Sequence, residues 1–381
     1  MRSITRRMTL GGLVGVFGAS IASRGHAEAM WRKTGFSALD EIARTRVAVG
    51  DAVGLAVGMS APGFRKSAYY GVEGVGREAL ISASTLFRIA SVTKPITAAA
   101  VLNLAERKEL SLDGSIDQFF PEFPRAEEIS VRQLLNHTSG LANWWGRLPA
   151  DVPDDFMDRP EPHRALARMR DAFLFKPGTM RSYSNSGFVL LGEIIEKVAG
   201  TEYDDWVNEA LLSRCGASGM VLERTGHTGA GWATGYYPNG EPASETPMPF
   251  SAGGYRSNLH DILAFSDALF HGKLLLDSSL SDMVTQARVS DGRFVQDAMY
   301  DAPDAPAETW PQNTTEFGYG LGINTWVQSG ERFYSHSGLI DGFSAYLIHA
   351  PRTQTTVAVL SNSQNGSAGF GQAIRDILIS A

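Results

Sequence analysis

Hydrophobic positions in this chain follow two periods, and the period changes with position. Strand-like runs rich in β-branched and aromatic residues fall at 53–60 and 66–72, separated by Pro62-Gly63. A Pro-Gly pair between two such runs predicts an antiparallel hairpin. Four further strand-like runs lie near the other end, at 320–327, 332–335, 343–349 and 355–361, again with short links. The middle of the chain reads differently. Val189, Leu190, Ile194, Ile195 and Val198 recur at the spacing of one helix face and predict a helix over 186–199. Helices are also expected at 129–136 and 203–214, with an opening helix at 36–46 and a closing amphipathic one at 370–380. Strands at both ends and helices between them predict an α+β fold. Its form is an antiparallel β-sheet flanked by N- and C-terminal helices, with an inserted all-α region. A single domain is expected over 30–381, with an α/β part at about 30–105 and 250–381 and a helical part at about 106–249.

The first 29 residues read as a signal peptide. Thr5-Arg6-Arg7-Met8-Thr9-Leu10 carries a twin-arginine pair, and a glycine-rich, mildly apolar run follows over 10–22. That run is shorter than the ~20 apolar residues of a membrane span. Small residues at Ala27 or Ala29 offer cleavage sites. The general secretory route is the alternative; Arg24 favours the twin-arginine route. No cysteine offers a lipid anchor there, so the expected location is periplasmic or secreted, with no stable membrane anchor.

Charge and cysteine content narrow the function. A net charge of −7 with no basic stripe argues against nucleic acid as a partner. Cys215 is the only cysteine, which excludes an intramolecular disulfide and a cysteine-built metal site. The histidines are scattered and form no H-E-x-x-H, so no metal or cofactor is expected. Gly74 to Ala79 imitates a dinucleotide fingerprint but ends a hairpin and opens no helix. No G-x-S-x-G is present. The segments 151–162 and 301–311, acidic and proline-rich, read as long surface loops of the kind that often form lids.

The candidate chemistry begins at Ser91-Val92-Thr93-Lys94. Residues three apart on a helix are neighbours, so the Lys94 amine can reach the Ser91 hydroxyl locally. A desolvated lysine can lose its proton near neutral pH and activate such a nucleophile. Pro95 places this stretch in a helix's first turn, where free backbone N–H groups favour developing negative charge. Alone, a serine three residues before a lysine also fits a capping serine and a solvated amine. Two later motifs change the balance: Tyr183-Ser184-Asn185 and His336-Ser337-Gly338. Each has a rival. Tyr237-Pro238-Asn239 reads as a turn, and His227-Thr228-Gly229 sits in a glycine-rich loop. Tyr183 instead precedes a helix, and His336 ends a strand-like run.

S-x-x-K followed by S-D-N and K-T-G is the signature of class A β-lactamases and penicillin-binding proteins. With tyrosine opening the second motif and histidine the third, this chain resembles the class C β-lactamase branch, including its D,D-carboxypeptidases, D-aminopeptidases and β-lactamase-fold esterases. Leu134 to Leu141, Pro177-Gly178, Ser251 to Gly254 and Phe317 to Gly322 extend the likeness over nearly the whole chain from Phe36. The resemblance implies the same β-lactamase/transpeptidase-like fold, with the site between sheet and helical region. It also implies acyl transfer through a covalent ester on Ser91, on a small ester, amide or peptide. Lys94 and Tyr183 would share the proton, with either as the resting base. Asn185 would hold Lys94 and the substrate. The oxyanion would lie between the N–H groups of Ser91 and Leu339, with Ser337 and Gly338 in the substrate-binding strand. Trp144 and Trp145 would line the substrate pocket or fill the core. A penicillin-binding module that acylates without turnover is the alternative. Histidine at 336 replaces a permanent cation, which disfavours an efficient β-lactamase and favours an esterase, D-peptidase or amidase. An imidazole near its ordinary pKa of about 6.5 would also strengthen carboxylate binding as pH falls.

Overall fold

The computed structural model describes residues 14–224, 226–244, 248–300 and 313–381. Ten strands occur among them. β1 (Gly54–Ala61) and β2 (Phe64–Gly71) form the expected hairpin. β3 (Phe87–Arg88), β4 (Val221–Leu222) and β5 (Tyr255–Ser257) make a small second sheet. β6 (Thr314–Tyr319), β7 (Asn324–Gln328), β8 (Glu331–Ile340), β9 (Phe343–Ala350) and β10 (Thr355–Ser361) complete the main one. Its order is β2-β1-β10-β9-β8-β7-β6, antiparallel throughout. The mixed architecture predicted from the sequence is therefore the observed one.

The central strands are buried on both faces, which explains their nearly continuous apolar runs. Successive side chains of a strand point to opposite faces. Leu55, Val57 and Met59 of β1 and Val357 and Val359 of β10 face the terminal helices, Val14–Ala48 and Phe370–Ile379. Ala56, Ala358 and Leu360 face the other way, into the larger core. There a β-carbon on Gly58 would sit 2.8 Å from Leu263, on the helix Leu259–Phe270. The first helix presents Phe36, Leu39 and Ala43 to the sheet, one stripe at i, i+3 and i+7.

Several boundaries differ from the pattern. The opening helix, expected at 36–46, runs Val14–Ala48, because no proline interrupts that stretch. Its backbone thus includes residues read above as leader, while Arg6 and Arg7 lie outside the described residues, as does the 301–311 loop. The run 320–327 is strand only from Asn324, where β7 starts; 320–323 is a loop. Gly320, Leu321 and Gly322 turn inward between β6 and β7, and a β-carbon on Gly322 would lie 2.6 Å from Ala98. The run 332–335 is the start of a ten-residue strand, so His336 lies inside β8 and does not end it. The 129–136 helix is Val131–Leu135, begun by a capping box in which Ser130 and Gln133 bond reciprocally. The 203–214 helix is Tyr203–Val207 followed by a π-helical turn, Asn208–Leu212. Gly74 to Ala79 is followed by no helix, as expected.

The terminal helix should hold the outer face of the sheet by apolar burial. Leu39→Ala removes a fully buried side chain and should cost about 3 kcal/mol. Urea unfolding at constant m-value measures it; a loss below about 1 kcal/mol would show that this helix does not stabilise the sheet.

Candidate active site

A short 3-10 turn, Ala90–Val92, runs directly into the helix Thr93–Glu106, so Ser91 stands at the helix entrance and Pro95 in its first turn. Ala90 has φ +47°, a left-handed conformation that costs a non-glycine residue about 1–3 kcal/mol. The neighbouring strand enforces it by close approach. A β-carbon on Gly338 of β8 would lie 2.1 Å from the carbonyl oxygen of Ile89. His137 (φ +63°) and Phe250 (φ +42°) are strained in the same way. All three flank segments that bond the site.

Lys94 is fully buried. Its Nζ lies 3.1 Å from Ser91 Oγ, 2.6 Å from Asn185 Oδ1 and 2.6 Å from the carbonyl oxygen of Ala252. Burial pushes its pKa well below the usual lysine range. Tyr183 Oη donates to Ser91 Oγ at 2.8 Å, and the Tyr183 ring packs 4.7 Å from the amine. The spacing of the second motif now has a local cause. Ser184 is the N-cap of the helix Asn185–Ala199, its hydroxyl accepting from the N–H of Gly187. The tyrosine before the cap and the asparagine after it therefore flank one helix entrance and reach the same serine and lysine.

The third motif lies along an open edge. β7 pairs with β8 as far as Asn324↔Ser335, so 336–340 pair only with β9. The two-residue turn Asp341-Gly342 closes on the pair Ile340↔Phe343. Alternation from that hydrogen-bonded pair points the N–H and C=O of Leu339 to the open edge, beside Ser91. The Leu339 side chain is 63% exposed, and Ser337 is exposed too.

His336 is buried. Its Nδ1–H donates to the Ser337 carbonyl at 2.8 Å, which leaves Nε2 to accept from Tyr319 Oη at 3.1 Å. Its pKa falls to about 3, through burial first, then the Lys94 charge, partly opposed by the Ser337 bond, with a smaller push from Arg181. Since burial dominates, the ring stays neutral whichever form Lys94 takes. This corrects the expected gain of charge near pH 6.5.

Other residues complete the site without having been singled out from the sequence. Asn143 Oδ1 accepts from the N–H of Asn185 at 2.7 Å, and its amide donates to the Tyr183 carbonyl at 3.3 Å. His137 Nδ1 accepts from the N–H of Ser184 at 3.2 Å, and its ring packs 4.4 Å from Tyr183. Tyr319 joins His137 to His336, and Arg181 lies over its ring at 4.8 Å. The family-like segments around 137, 252 and 319 contained the signal, but not the role. Trp144 is buried and Trp145 is 59% exposed; both line a cavity of about 700 Å³ whose lining includes none of Ser91, Lys94, Tyr183 and Asn185. The 151–162 segment forms part of its wall, with Phe156 and Met157 turned inward.

A serine, a buried lysine and a tyrosine meet between an antiparallel sheet and a helical region, and that architecture is the β-lactamase/transpeptidase-like fold. The chain belongs to the β-lactamase family, whose profile matches residues 39–381. It is similar to penicillin-binding protein 4* of Bacillus subtilis strain 168, 26% identical over 318 residues that cover 77% of this chain and 64% of that one. It is similar also to the D-aminopeptidase of Gluconobacter oxydans strain 621H, 24% identical over 305 residues, covering 78% and 53%. The chain thus spans between about half and two thirds of these relatives' length. In fold it matches the D-amino acid amidase of Ochrobactrum anthropi SV3, solved with L-phenylalanine amide, at a TM-score of 0.73 and 24% identity, over 91% of this chain and 97% of that one.

The neutral imidazole gives a pH test. Its folded pKa lies below the ordinary 6.5, so the unfolded chain binds the proton first. Stability from this group is complete above about pH 6.5 and is lost as pH falls toward 3. The His336 ring resonances should therefore not titrate between pH 5 and 8 in the folded protein; an NMR midpoint near 6.5 would contradict the buried, neutral ring.

Proposed function

We propose that this protein is a secreted serine hydrolase that cleaves small esters or amides through an acyl-enzyme on Ser91. The observation that carries the reading is the set of acceptors around Lys94. A neutral amine has two protons and one lone pair. Asn185 Oδ1 and the Ala252 carbonyl are obligate acceptors and take the two protons. The lone pair is left for the Ser91 hydroxyl, the longest of the three contacts. Burial favours this neutral form. Lys94 therefore serves as the resting base, and Tyr183 as the group that relays the proton to the leaving atom.

The step balances simply. The Ser91 oxygen forms a bond to the carbonyl carbon while its proton passes to Lys94. The N–H groups of Ser91 and Leu339 receive the charge on the carbonyl oxygen; such a donor is typically worth about 3–4 kcal/mol. The leaving group takes a proton through Tyr183. Water then repeats the sequence on the acyl-enzyme and frees the acid. The neutral His336 offers no cation for a substrate carboxylate, which favours esterase, D-peptidase or amidase chemistry over efficient β-lactam hydrolysis. The similarity to penicillin-binding protein 4* favours a second reading, acylation by penicillin without turnover.

Ser91→Ala should abolish hydrolysis of p-nitrophenyl esters in a protein that still melts cooperatively. Lys94→Ala and Tyr183→Phe should each lower kcat by about 10²–10⁴, with the double variant scarcely worse, because one proton-transfer unit is lost once. Full additivity would separate the two residues. A stable penicillin adduct in the intact mass, without ester turnover, would select the second reading.

Residues 1–29 are proposed as the leader that exports the folded protein. The side chain of Trp31, just beyond it, already anchors to the C-terminal helix by donating to the Ile377 carbonyl at 3.0 Å. Replacing Arg6-Arg7 by Lys-Lys should retain the protein in the cytoplasm. Unimpaired export would indicate the general secretory route.

A further inference from the structure

His137 carries two local costs that its own helix does not require. It follows Asn136, the C-cap of the helix Val131–Leu135, with φ +63°. Glycine is the residue that takes a left-handed backbone there without penalty. The surrounding loop holds the conformation. The N–H groups of Thr138 and Ser139 both donate to the Gln133 carbonyl, at 2.9 and 3.1 Å, and the Gly140 carbonyl accepts from the N–H of Leu174 at 2.8 Å. The second cost lies in the ring. Nδ1 accepts from the N–H of Ser184, so the neutral imidazole carries its proton on Nε2. That nitrogen is buried and has no hydrogen-bond partner among the described residues; the rings of Tyr183, Phe188 and Tyr319 pack around the imidazole. An orphan donor and a strained backbone at one residue point to a functional constraint.

The constraint is visible in the segment that His137 holds. Its backbone carbonyl accepts from the N–H of Ser182 at 3.1 Å, and its Nδ1 accepts from the N–H of Ser184 at 3.2 Å. One residue therefore grips the chain immediately before and immediately after Tyr183. Its ring also packs 4.4 Å from the Tyr183 ring. The Ser184 bond replaces one that the helix Asn185–Ala199 cannot make for itself. In a capping box the side chain at N3 reaches back to the N-cap N–H, as Gln133 does for Ser130. Here N3 is Gly187, which has no side chain to reach back with. His137 supplies the missing acceptor from 47 residues away. Burial, the largest cause, holds the ring's pKa well below the usual histidine range, so Nδ1 keeps its lone pair.

We infer, on the reading of Tyr183 as the proton relay set out above, that His137 is a positioning residue for the reaction: it fixes the Tyr183 hydroxyl at Ser91 by clamping the backbone on both sides of that tyrosine. Tyr183 Oη stands 2.8 Å from Ser91 Oγ. A relay works only at that distance, and a misplacement of about 1 Å can cost about a hundredfold in rate. Asn143 holds the same stretch through the Tyr183 carbonyl and the Asn185 N–H. Asn185 also holds Lys94, so the contacts of His137 bear on the tyrosine more selectively.

Phenyl butyrate and p-nitrophenyl butyrate test this, because they share an acyl group and differ in how much the leaving oxygen needs a proton. Rates are taken per active site titrated with a fluorophosphonate. His137→Phe keeps a ring and removes the acceptor. It should lower kcat/KM about tenfold on the nitrophenyl ester and about a hundredfold on the phenyl ester. A general loosening of the fold would lower both alike. His137→Asn offers an amide oxygen near the place of Nδ1 and tolerates the left-handed backbone. It should recover most of the difference between the two esters. In a Tyr183→Phe background, His137→Phe should change the ratio no further. A ratio unaltered by His137→Phe, or not restored by His137→Asn, would overturn the inference. If His137→Phe does not fold, nitrogen NMR of the wild type decides: an unprotonated Nδ1 bonded to the Ser184 N–H supports the clamp, and a proton on Nδ1 removes it. Tyr183→Phe alone separates the two levels of failure. If it leaves the ratio unchanged, the relay role of Tyr183 is lost. If it shifts the ratio and His137→Phe does not, only the role of His137 is lost.

Discussion

The constraint on which the rest of this structure depends is a lysine amine with no contact with solvent. Desolvating an ammonium costs several kcal/mol even after relaxation, and the fold meets that cost by surrounding Lys94 with polar partners from three segments. Ser91 comes from its own helix, Asn185 from the entrance of a second helix, and Ala252 from the turn Phe250–Gly253. These segments converge only because small residues let them. A β-carbon on Gly192 would lie 2.2 Å from Ser251 Oγ, so the second helix and the 250–253 turn can touch there only through glycine. The positive φ at Ala90 and Phe250 is a related cost, placed next to the groups it positions.

The sheet contributes an edge, not a wall. Because β7 leaves β8 after Ser335, five residues of β8 keep one side unpaired. An exposed strand edge is ordinarily a liability. Here it is short, and the 3-10 turn at Ser91 comes against it. The two N–H groups proposed for the oxyanion thus belong to different elements, and the tight approach at Gly338 fixes their separation. A side chain at 338 would push the strand off the turn.

Much of the fold was legible in the sequence because its central strands are covered on both faces and its helices are amphipathic. What was missed follows from contacts that no local pattern encodes. The inward loop at Gly320-Leu321-Gly322 looked like strand, since its residues are apolar or small; it is a loop because the helix at Ala98 lies against it. The extension of β8 through His336 was hidden by serine and glycine, residues that usually mark turns. That Ser91, Lys94, Tyr183 and Asn185 meet was legible from spacing, since each pair flanks a helix entrance. Asn143, His137 and Tyr319 were not, because their roles arise from bonds across 40 or more residues or from packing between strand and loop. The charge state of His336 was misread for the same reason: sequence supplies the imidazole, and burial sets its proton.

The neutral histidine also bears on the lysine. A second cation at position 336 would add repulsion to desolvation in lowering the Lys94 pKa. With an uncharged ring there, desolvation is the one cause that remains. The basicity of Lys94 is then a property of packing. The rings of Tyr183 and Phe188, 4.7 and 5.3 Å from the nitrogen, exclude water while their faces still favour the cation. The two effects oppose each other, and desolvation is the larger, since the Lys94 pKa is driven down. The same shell packs against His137, whose ring lies 5.3 Å from Phe188 and whose own pKa is driven down by burial.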